Sequence, residues 1–154
     1  MREFDYYIFI DYSEDYLGYL IIDKEKVNEI LPKISKFKHY RKARNRKLYL
    51  NNASKTLRRE NIYASFLKFD LCKKNEKLKV YTEVLDFVIK FSNWNIFISI
   101  DDHEYSNFTQ IFNPINSAKI ILKKESELRE KTCEYQMNLV LDTILNLNRL
   151  KNTG

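Results

Sequence analysis

Carboxylate side chains directly follow two short apolar segments of this chain of 154 residues. Asp11 comes after Tyr6–Ile10, and the pair Asp101 and Asp102 comes after Asn95–Ile100. Both segments are rich in β-branched and aromatic residues, which predicts buried strands. In an open α/β sheet, binding sites form at the carboxyl ends of the strands. We therefore expect these three carboxylates to lie close together.

Clustered carboxylates are suited to binding a metal ion. They repel one another unless a cation lies between them, and their oxygen atoms suit hard divalent metals. Two such ions about 4 Å apart can activate water and stabilise the leaving oxygen in phosphodiester cleavage. We predict that Asp11, Asp101 and Asp102 bind Mg²⁺ or Mn²⁺. The structural alternative is that each is a turn residue or a helix cap, since Asp is common in both places.

A second feature is the stretch of thirty residues between Glu29 and Glu60, which contains eleven Lys and Arg and no acidic residue. Lys and Arg supply many protein contacts to phosphate, without regard to nucleotide sequence. His39, Tyr40 and Tyr49 are interleaved with them and could stack on bases. We predict nucleic-acid binding through Lys38, Arg41, Lys42, Arg44, Arg46, Lys47, Arg58 and Arg59. The alternative is a solvated helix face followed by an ordinary loop.

The composition argues against several classes of protein. Two glycines and two prolines are too few for the tight turns of an all-β sandwich or barrel. Cys72 and Cys133 are far apart and lack the spacing of a zinc site. The charged segment after Met1 does not resemble a signal peptide, and no apolar run approaches the roughly 20 residues that span a bilayer. We expect one cytoplasmic domain over residues 1–154, with net charge +6 and no membrane partner.

The elements that must position the carboxylates form an alternating series. A hairpin is predicted first, then an amphipathic helix from Lys24 to about Lys38, and then a basic segment with a loop and a short helix. The remaining predictions are strands in Ile62–Leu71, Asn95–Ile100 and Lys119–Leu122, and helices at Leu78–Phe91, Tyr105–Phe112 and about Ser126–Leu150. The order ββαβαβαβα indicates a mixed sheet flanked by helices.

With these elements and carboxylates, the chain resembles the ribonuclease-H-like nuclease superfamily. That fold carries carboxylates on its first strand, on an intervening element, on its fourth strand and on its last helix. The chain is similar in particular to an uncharacterised family with Asp-Glu-Ser-Gly after the first strand. The matching segments are Asp11-Tyr12-Ser13-Glu14-Asp15, Glu60-Asn61-Ile62-Tyr63-Ala64, Asp101, and Gln136 with Asp142. The resemblance implies catalytic roles for Asp11, Glu60, Asp101 and Asp142.

Three candidate residues also have simpler interpretations. Glu60 follows two arginines and could form a surface ion pair, which stabilises a protein little. Asp142 falls on a polar stripe of the predicted last helix, which favours a solvent-exposed position, although a partly buried position facing the site is the alternative. His103 follows the two aspartates and could bind metal or act as a general acid, but a lone histidine there is more often a loop residue.

Two functions fit these features, and the sequence leaves open whether the chain is an enzyme. The first is a divalent-metal-dependent nuclease or phosphodiesterase that acts on nucleic acid. The second is a non-catalytic module that binds nucleic acid or protein and has a degenerate acidic site. A homodimer through the long final helix would fit either function.

Overall fold

The chain forms one mixed sheet of five strands in a computed structural model, which describes residues 4–112 and 119–153. In chain order, the strands are β1 (Tyr6–Ser13), β2 (Tyr16–Asp23), β3 (Lys68–Lys73), β4 (Ile96–Ile100) and β5 (Ile120–Lys124). They lie side by side in the order β3-β2-β1-β4-β5. The pairs β1–β2 and β2–β3 are antiparallel, whereas β4 runs parallel to both β1 and β5.

Helices cover both faces of this sheet. Within the described residues they are α1 (Lys24–Ile30), α2 (Arg46–Arg59), α3 (Lys77–Lys90), α4 (Tyr105–Phe112) and α5 (Cys133–Thr153). The predicted α/β class, a mixed sheet flanked by helices, is confirmed, and the order of elements agrees with ββαβαβαβα except in one connection. The difference is that two helices, rather than one, lie between β2 and β3.

The connection between β2 and β3 departs most from its prediction. Asp23 caps α1, as its position before the helix suggests. The helix ends at Ile30, and Pro32 lies in a short 3₁₀ turn, because proline cannot donate the backbone hydrogen bond that would continue an α-helix. The basic stretch then contains the 14-residue helix α2, whose first turn is capped by Asn45. A loop with a short helix was expected here, so α2 is longer than predicted.

Two further boundaries differ from the sequence prediction. The strand expected in Ile62–Leu71 is β3, but it begins only at Lys68 and follows a 3₁₀ turn. The final helix begins at Cys133 rather than near Ser126. Lys131 has a left-handed backbone, with φ of 69°, which a continuous right-handed helix cannot contain.

Side chains of the sheet alternate between two faces, and each face has its own apolar core. On the first, which we call the α5 face, Tyr7, Phe9 and Phe97 belong to a cluster with residues of α1, α2 and α5. On the second, the α3 face, Ile8 and Ile98 belong to a cluster with residues of α3 and α4. The α5 face is the one that carries the candidate site.

Helix α5 lies inside the protein rather than on its surface. Residues 137–146 are all buried, because β1 and β2 cover one side of the helix while α2 and the turn at residues 40–42 contact it as well. Asp142 is only 5% exposed, so the solvent-exposed position favoured for it was wrong. The middle of α5 is likewise closed to a partner, so the predicted homodimer would have to use another part of the helix. Among the described residues, no helix has the length and apolar character to cross a membrane.

Candidate metal centre

Three carboxylates come directly after three residues that lie side by side on the parallel strands β1, β4 and β5. The strand register places Ile10 beside Ile100 and Ile100 beside Lys124. The next residue in the chain is acidic in each case. Asp11 lies inside β1, whereas Asp101 and Glu125 come directly after β4 and β5. One carboxylate oxygen of each lies within 4.8 Å of the others. Asp11 and Asp101 therefore meet, as the strand-end pattern predicts, and Glu125 joins them. We call these three residues the acid row.

Asp11 is the most deeply buried member of the acid row, with 2% of its surface exposed. Its Oδ1 accepts a hydrogen bond from the backbone N–H of Tyr12 at 2.8 Å. Its Oδ2 is buried and has no hydrogen-bond partner among the described residues. Burial raises the pKa of Asp11 well above its ordinary value, and the charges of Glu125 and Asp142 raise it further. A buried oxygen in this state is costly, so it favours a proton or a cation.

The pKa of the Glu125 carboxyl group is raised as well. Burial raises its pKa from 4.5 to about 7, and the nearby charges of Asp101 and Asp142 add to the effect. Interactions with the side chains of Asp11 and of Asn138, which lies on α5, act on the pKa of Glu125 in the opposite direction. The Oδ1 atom of Asn138 is itself buried without a hydrogen-bond partner in the described part of the chain. The acid row therefore collects oxygen atoms that the surrounding protein does not neutralise.

Asp142 connects the acid row to the basic stretch. It projects from α5, and its Oδ2 accepts a hydrogen bond from the backbone N–H of Tyr40 at 2.9 Å. Its Oδ1 lies 3.7 Å from Nε2 of His39. Burial raises the pKa of Asp142, although the Tyr40 hydrogen bond and the charges of His39 and Arg41 act in the opposite direction. Because Asp142 also raises the pKa of Asp11, it lies within electrostatic reach of the row.

Asp102 and His103 are exposed neighbours of the acid row. Oδ1 of Asp102 accepts a hydrogen bond from the backbone N–H of Ser126 at 3.0 Å. Partial burial would raise the pKa of Asp102, but hydrogen bonds from Ser126 lower it. The His103 side chain is 83% exposed, and its Nδ1 lies 3.2 Å from Oδ1 of Asp101. Asp102 thus stabilises the turn after β5, and metal binding by Asp102 stays a prediction.

Glu60 lies outside the acid row. It is the C-cap residue that directly follows α2, and its carboxylate is 3.9 Å from Nζ of Lys33 and 3.4 Å from Nε of Arg59. These contacts match the ion-pair interpretation of Glu60. Its catalytic role rests only on the resemblance and stays a prediction.

Glu125 was missed because the predicted strand was too short. The apolar run stops at Leu122, whereas β5 continues to Lys124. Lys123 and Lys124 are exposed and therefore look like the start of a turn. A strand that extends through these two lysines places Glu125 directly after its end, which is the position that the sequence predicts for Asp11 and Asp101.

The basic stretch lies on the same side of the sheet as the acid row. The turn at Tyr40–Lys42 contacts α5, and the guanidinium of Arg46 lies 5.3 Å from the centre of the Tyr40 ring. Tyr49 also joins α2 to α5, because its hydroxyl is 2.7 Å from Oγ1 of Thr143. All eight cations predicted to bind nucleic acid are exposed, namely Lys38, Arg41, Lys42, Arg44, Arg46, Lys47, Arg58 and Arg59. Binding through them stays a prediction.

Comparisons with known proteins found similarity to solved structures but none in sequence. No protein-family model matches the chain, and no curated protein matches it in sequence. One similar solved structure is ribonuclease H2 from Pyrococcus horikoshii OT3, with 13% identity and a TM-score of 0.48 over 95% of this chain and 72% of that chain. Another is ribonuclease HII from Archaeoglobus fulgidus in its PCNA complex, with 10% identity and a TM-score of 0.48 over 96% of this chain and 77% of that chain. This level of similarity assigns neither family nor activity, so membership of the uncharacterised family stays a prediction.

Proposed function

We propose that this chain is a divalent-metal-dependent nuclease or phosphodiesterase that acts on nucleic acid. The observation that carries the proposal is the acid row, in which oxygen atoms of Asp11, Asp101 and Glu125 lie within 4.8 Å of one another. Burial, followed by the charges of neighbouring carboxylates, raises the pKa values of Asp11 and Glu125. A divalent cation between the carboxylates would remove this repulsion.

The residues present fit such a cation. All the ligands on offer are oxygen atoms, which Mg²⁺ and Mn²⁺ prefer over nitrogen and sulfur. Asp11 Oδ2 is buried and has no protein donor within the described residues, so it is free to bind an ion. When bound, the metal supplies positive charge to phosphate oxygens and makes water easier to deprotonate.

The other residues of the site have positioning roles in this proposal. Asp142 adds negative charge beside the acid row and also holds the backbone of Tyr40. It therefore positions the first part of the basic stretch next to the acid row. The exposed cations of that stretch would bind the phosphate backbone and bring a phosphodiester towards the carboxylates.

A calorimetric titration with Mn²⁺ tests the metal site directly. We expect the wild type to bind and Asp11→Asn to bind at least about tenfold more weakly, since the substitution removes one charged ligand. Asp86→Asn is the matched control, because Asp86 is exposed on α3 and its loss changes the net charge equally. The proposal fails if the wild type does not bind, or if Asp11→Asn binds as well as Asp86→Asn.

Cleavage assays then separate the enzyme from the alternative binding module. Single-stranded and duplex DNA and RNA are incubated with Mn²⁺, with Mg²⁺ or with EDTA. We expect cleavage with metal in the wild type and in Asp86→Asn, and loss of cleavage in Glu125→Gln and with EDTA. Metal-independent binding without any cleavage would instead favour the non-catalytic module.

A further inference from the structure

A groove lies between residues 35–45 and α2, in the middle of the basic stretch. We call it the α2 groove. Its volume is about 620 Å³, which is within the range of roughly 300–1,000 Å³ that is usual for small-ligand pockets. Phe37, Ala43 and Ala53 line it and are buried, whereas Leu48 lines it with 54% of its surface exposed. The floor is therefore apolar and accessible from solvent.

The rim of the α2 groove is cationic and polar. Four cations line it, and they are Lys36, Lys38, Lys42 and Arg44, while no lining residue is acidic. Asn45 and Asn52 add amide groups that can both donate and accept hydrogen bonds. Asn45 is also the N-cap of α2, so the positive end of the helix dipole lies at the groove. An apolar floor with this rim complements a flat heterocycle that carries phosphate groups.

One wall of the α2 groove is joined to the acidic side of the protein. Tyr49 lines the groove, and its hydroxyl accepts a hydrogen bond from the backbone N–H of Lys38 and donates to the carbonyl of Lys38, both at 2.8 Å. The same hydroxyl contacts Thr143, which directly follows Asp142 on α5. The segment from Lys38 to Lys42 therefore separates the groove from Asp142. A nucleic-acid strand that crosses residues 38–42 would contact both the α2 groove and the side of the protein that carries Asp142.

We infer that the α2 groove binds one unpaired nucleotide of the substrate strand. The apolar floor would contact the base, the amides would hydrogen-bond its edge, and the cations would hold the flanking phosphates. A base inside a duplex is stacked and paired, so it cannot enter the groove without being extruded. The substrate class is therefore single-stranded nucleic acid, or nucleic acid with an unpaired segment. This inference rests on the proposed function in that the bound strand is the one presented to the acid row.

Filling the groove tests the inference without using catalysis. Binding of a short fluorescein-labelled single strand, and of the duplex of the same sequence, is measured by anisotropy in EDTA. Asn52→Trp places a large side chain in the groove, whereas Asn51→Trp, at an adjacent exposed position that does not line the groove, is the control. We expect Asn52→Trp to weaken single-strand binding about tenfold, the size of one lost base contact. Duplex binding should be the same in both variants.

A charge comparison tests the rim. The triple variant Lys36→Gln, Lys42→Gln and Arg44→Gln removes three groove cations. The control removes the same charge from the far side, with Lys73→Gln, Lys79→Gln and Lys90→Gln, all exposed. For the groove variant, the dependence of single-strand affinity on salt should become weaker. The magnitude of the slope of log affinity against log salt concentration should decrease by about 2, or roughly 0.7 for each lost phosphate contact. The control should keep the wild-type slope.

Several outcomes overturn the inference. It fails if both tryptophan variants bind the single strand equally, or if the duplex binds more tightly than the single strand. It also fails if polyglutamate competes as well as the oligonucleotide, because that result would indicate an acidic protein partner. Leu48→Ala, a milder change at an exposed position, is expected to weaken single-strand binding by a few fold, and it replaces Asn52→Trp if that variant does not fold. Because every assay contains EDTA, failure of the metal site leaves these results interpretable. Loss of the groove effect with Mn²⁺ binding and cleavage intact would reject the groove alone.

Discussion

Two buried carboxylates, one on each side of the sheet, have very different surroundings. Glu104 lies beside α3 and is 4% exposed. It accepts a hydrogen bond from the Tyr81 hydroxyl at 2.7 Å and lies 3.5 Å from Nζ of Lys77. Asp11 is as deeply buried, but it accepts only one backbone hydrogen bond. The side chains that lie close to its carboxylate, those of Asp101 and Glu125, are acidic as well. Glu104 has partners that offset the cost of burying it, whereas Asp11 does not.

Under the proposed function, the difference distinguishes a side of the protein whose buried carboxylate stabilises the fold from a side whose buried carboxylate binds a metal ion. A paired carboxylate such as Glu104 can hold α3 to the segment that leads into α4. An unpaired group such as Asp11 costs stability, and proteins retain such groups mainly where function requires them. The α5 face also carries Ser99, Asn138 and Asp142 as buried polar residues. Four changes, ordered from the largest expected effect to the smallest, would break or sharpen this contrast.

The largest effect is expected on the paired side. Glu104→Ala leaves the Tyr81 hydroxyl buried without its acceptor and leaves Lys77 without its ion pair. Breaking a buried pair in this way costs about 3–4 kcal/mol. Urea denaturation should show this loss in the free energy of unfolding, while Mn²⁺ affinity stays at the wild-type value. A loss below about 1 kcal/mol would mean that Glu104 is no better paired than Asp11.

The next effect is a dependence of stability on pH that arises at Glu125. Its pKa is raised on folding from 4.5 to about 7, so the folded protein holds a proton that the unfolded chain has released. In the metal-free protein, the contribution of Glu125 to the free energy of unfolding should therefore be largest below pH 4.5. It should fall by about 3 kcal/mol as pH rises to about 7.

Urea denaturation at a series of pH values, in EDTA, measures this dependence. Glu125→Gln should remove the fall, and saturating Mn²⁺ should reverse it, because the metal binds the deprotonated carboxylates. An equal fall in the wild type and in Glu125→Gln would assign the effect to other groups.

A smaller effect of opposite sign is expected at Asp11. Asp11→Asn keeps an acceptor for the Tyr12 N–H but removes a charge that burial and its neighbours disfavour. The metal-free protein should gain about 1–2 kcal/mol at neutral pH, seen as a higher melting temperature in EDTA. With Mn²⁺ present, the order should invert, because the wild type binds the ion more tightly and is stabilised more by it. A variant that is less stable than the wild type in EDTA would contradict this account of Asp11.

The smallest effect is expected at Ser99. Its Oγ is buried with no hydrogen-bond partner among the described residues, so Ser99→Ala removes a polar atom that gains nothing from burial. We expect a change in the free energy of unfolding between zero and a gain of about 1 kcal/mol. Thermal denaturation against the wild type measures it, and a clear loss would show that Ser99 makes a stabilising interaction.

The features that the sequence predicted are those that depend on local pattern. The apolar runs before Asp11 and Asp101 mark buried strands, and the two carboxylates meet because those strands pair in parallel, although β1 continues past Asp11 to Ser13. What could not be predicted depends on distant parts of the chain. The polar stripe of α5 suggests a solvent-exposed face, but α2 and the turn at Tyr40–Lys42 form a second layer over the helix and bury Asp142. Likewise, β5 continues through two exposed lysines because it pairs with β4, so Glu125 was overlooked.

The central position of α5 determines when, during synthesis of the chain, the acid row can assemble. In the acid row, Asp11 comes from the first strand and Glu125 directly follows the last strand. Helix α5 follows Glu125 in the chain and covers their face of the sheet. A ribosome-bound chain that ends after α4 would already contain the basic stretch and the α2 groove residues. It would lack one of the three carboxylates and the helix that buries the others. Under the proposed function, such a chain could contact nucleic acid but could not assemble the cation site, so cleavage would begin only once α5 had been synthesised.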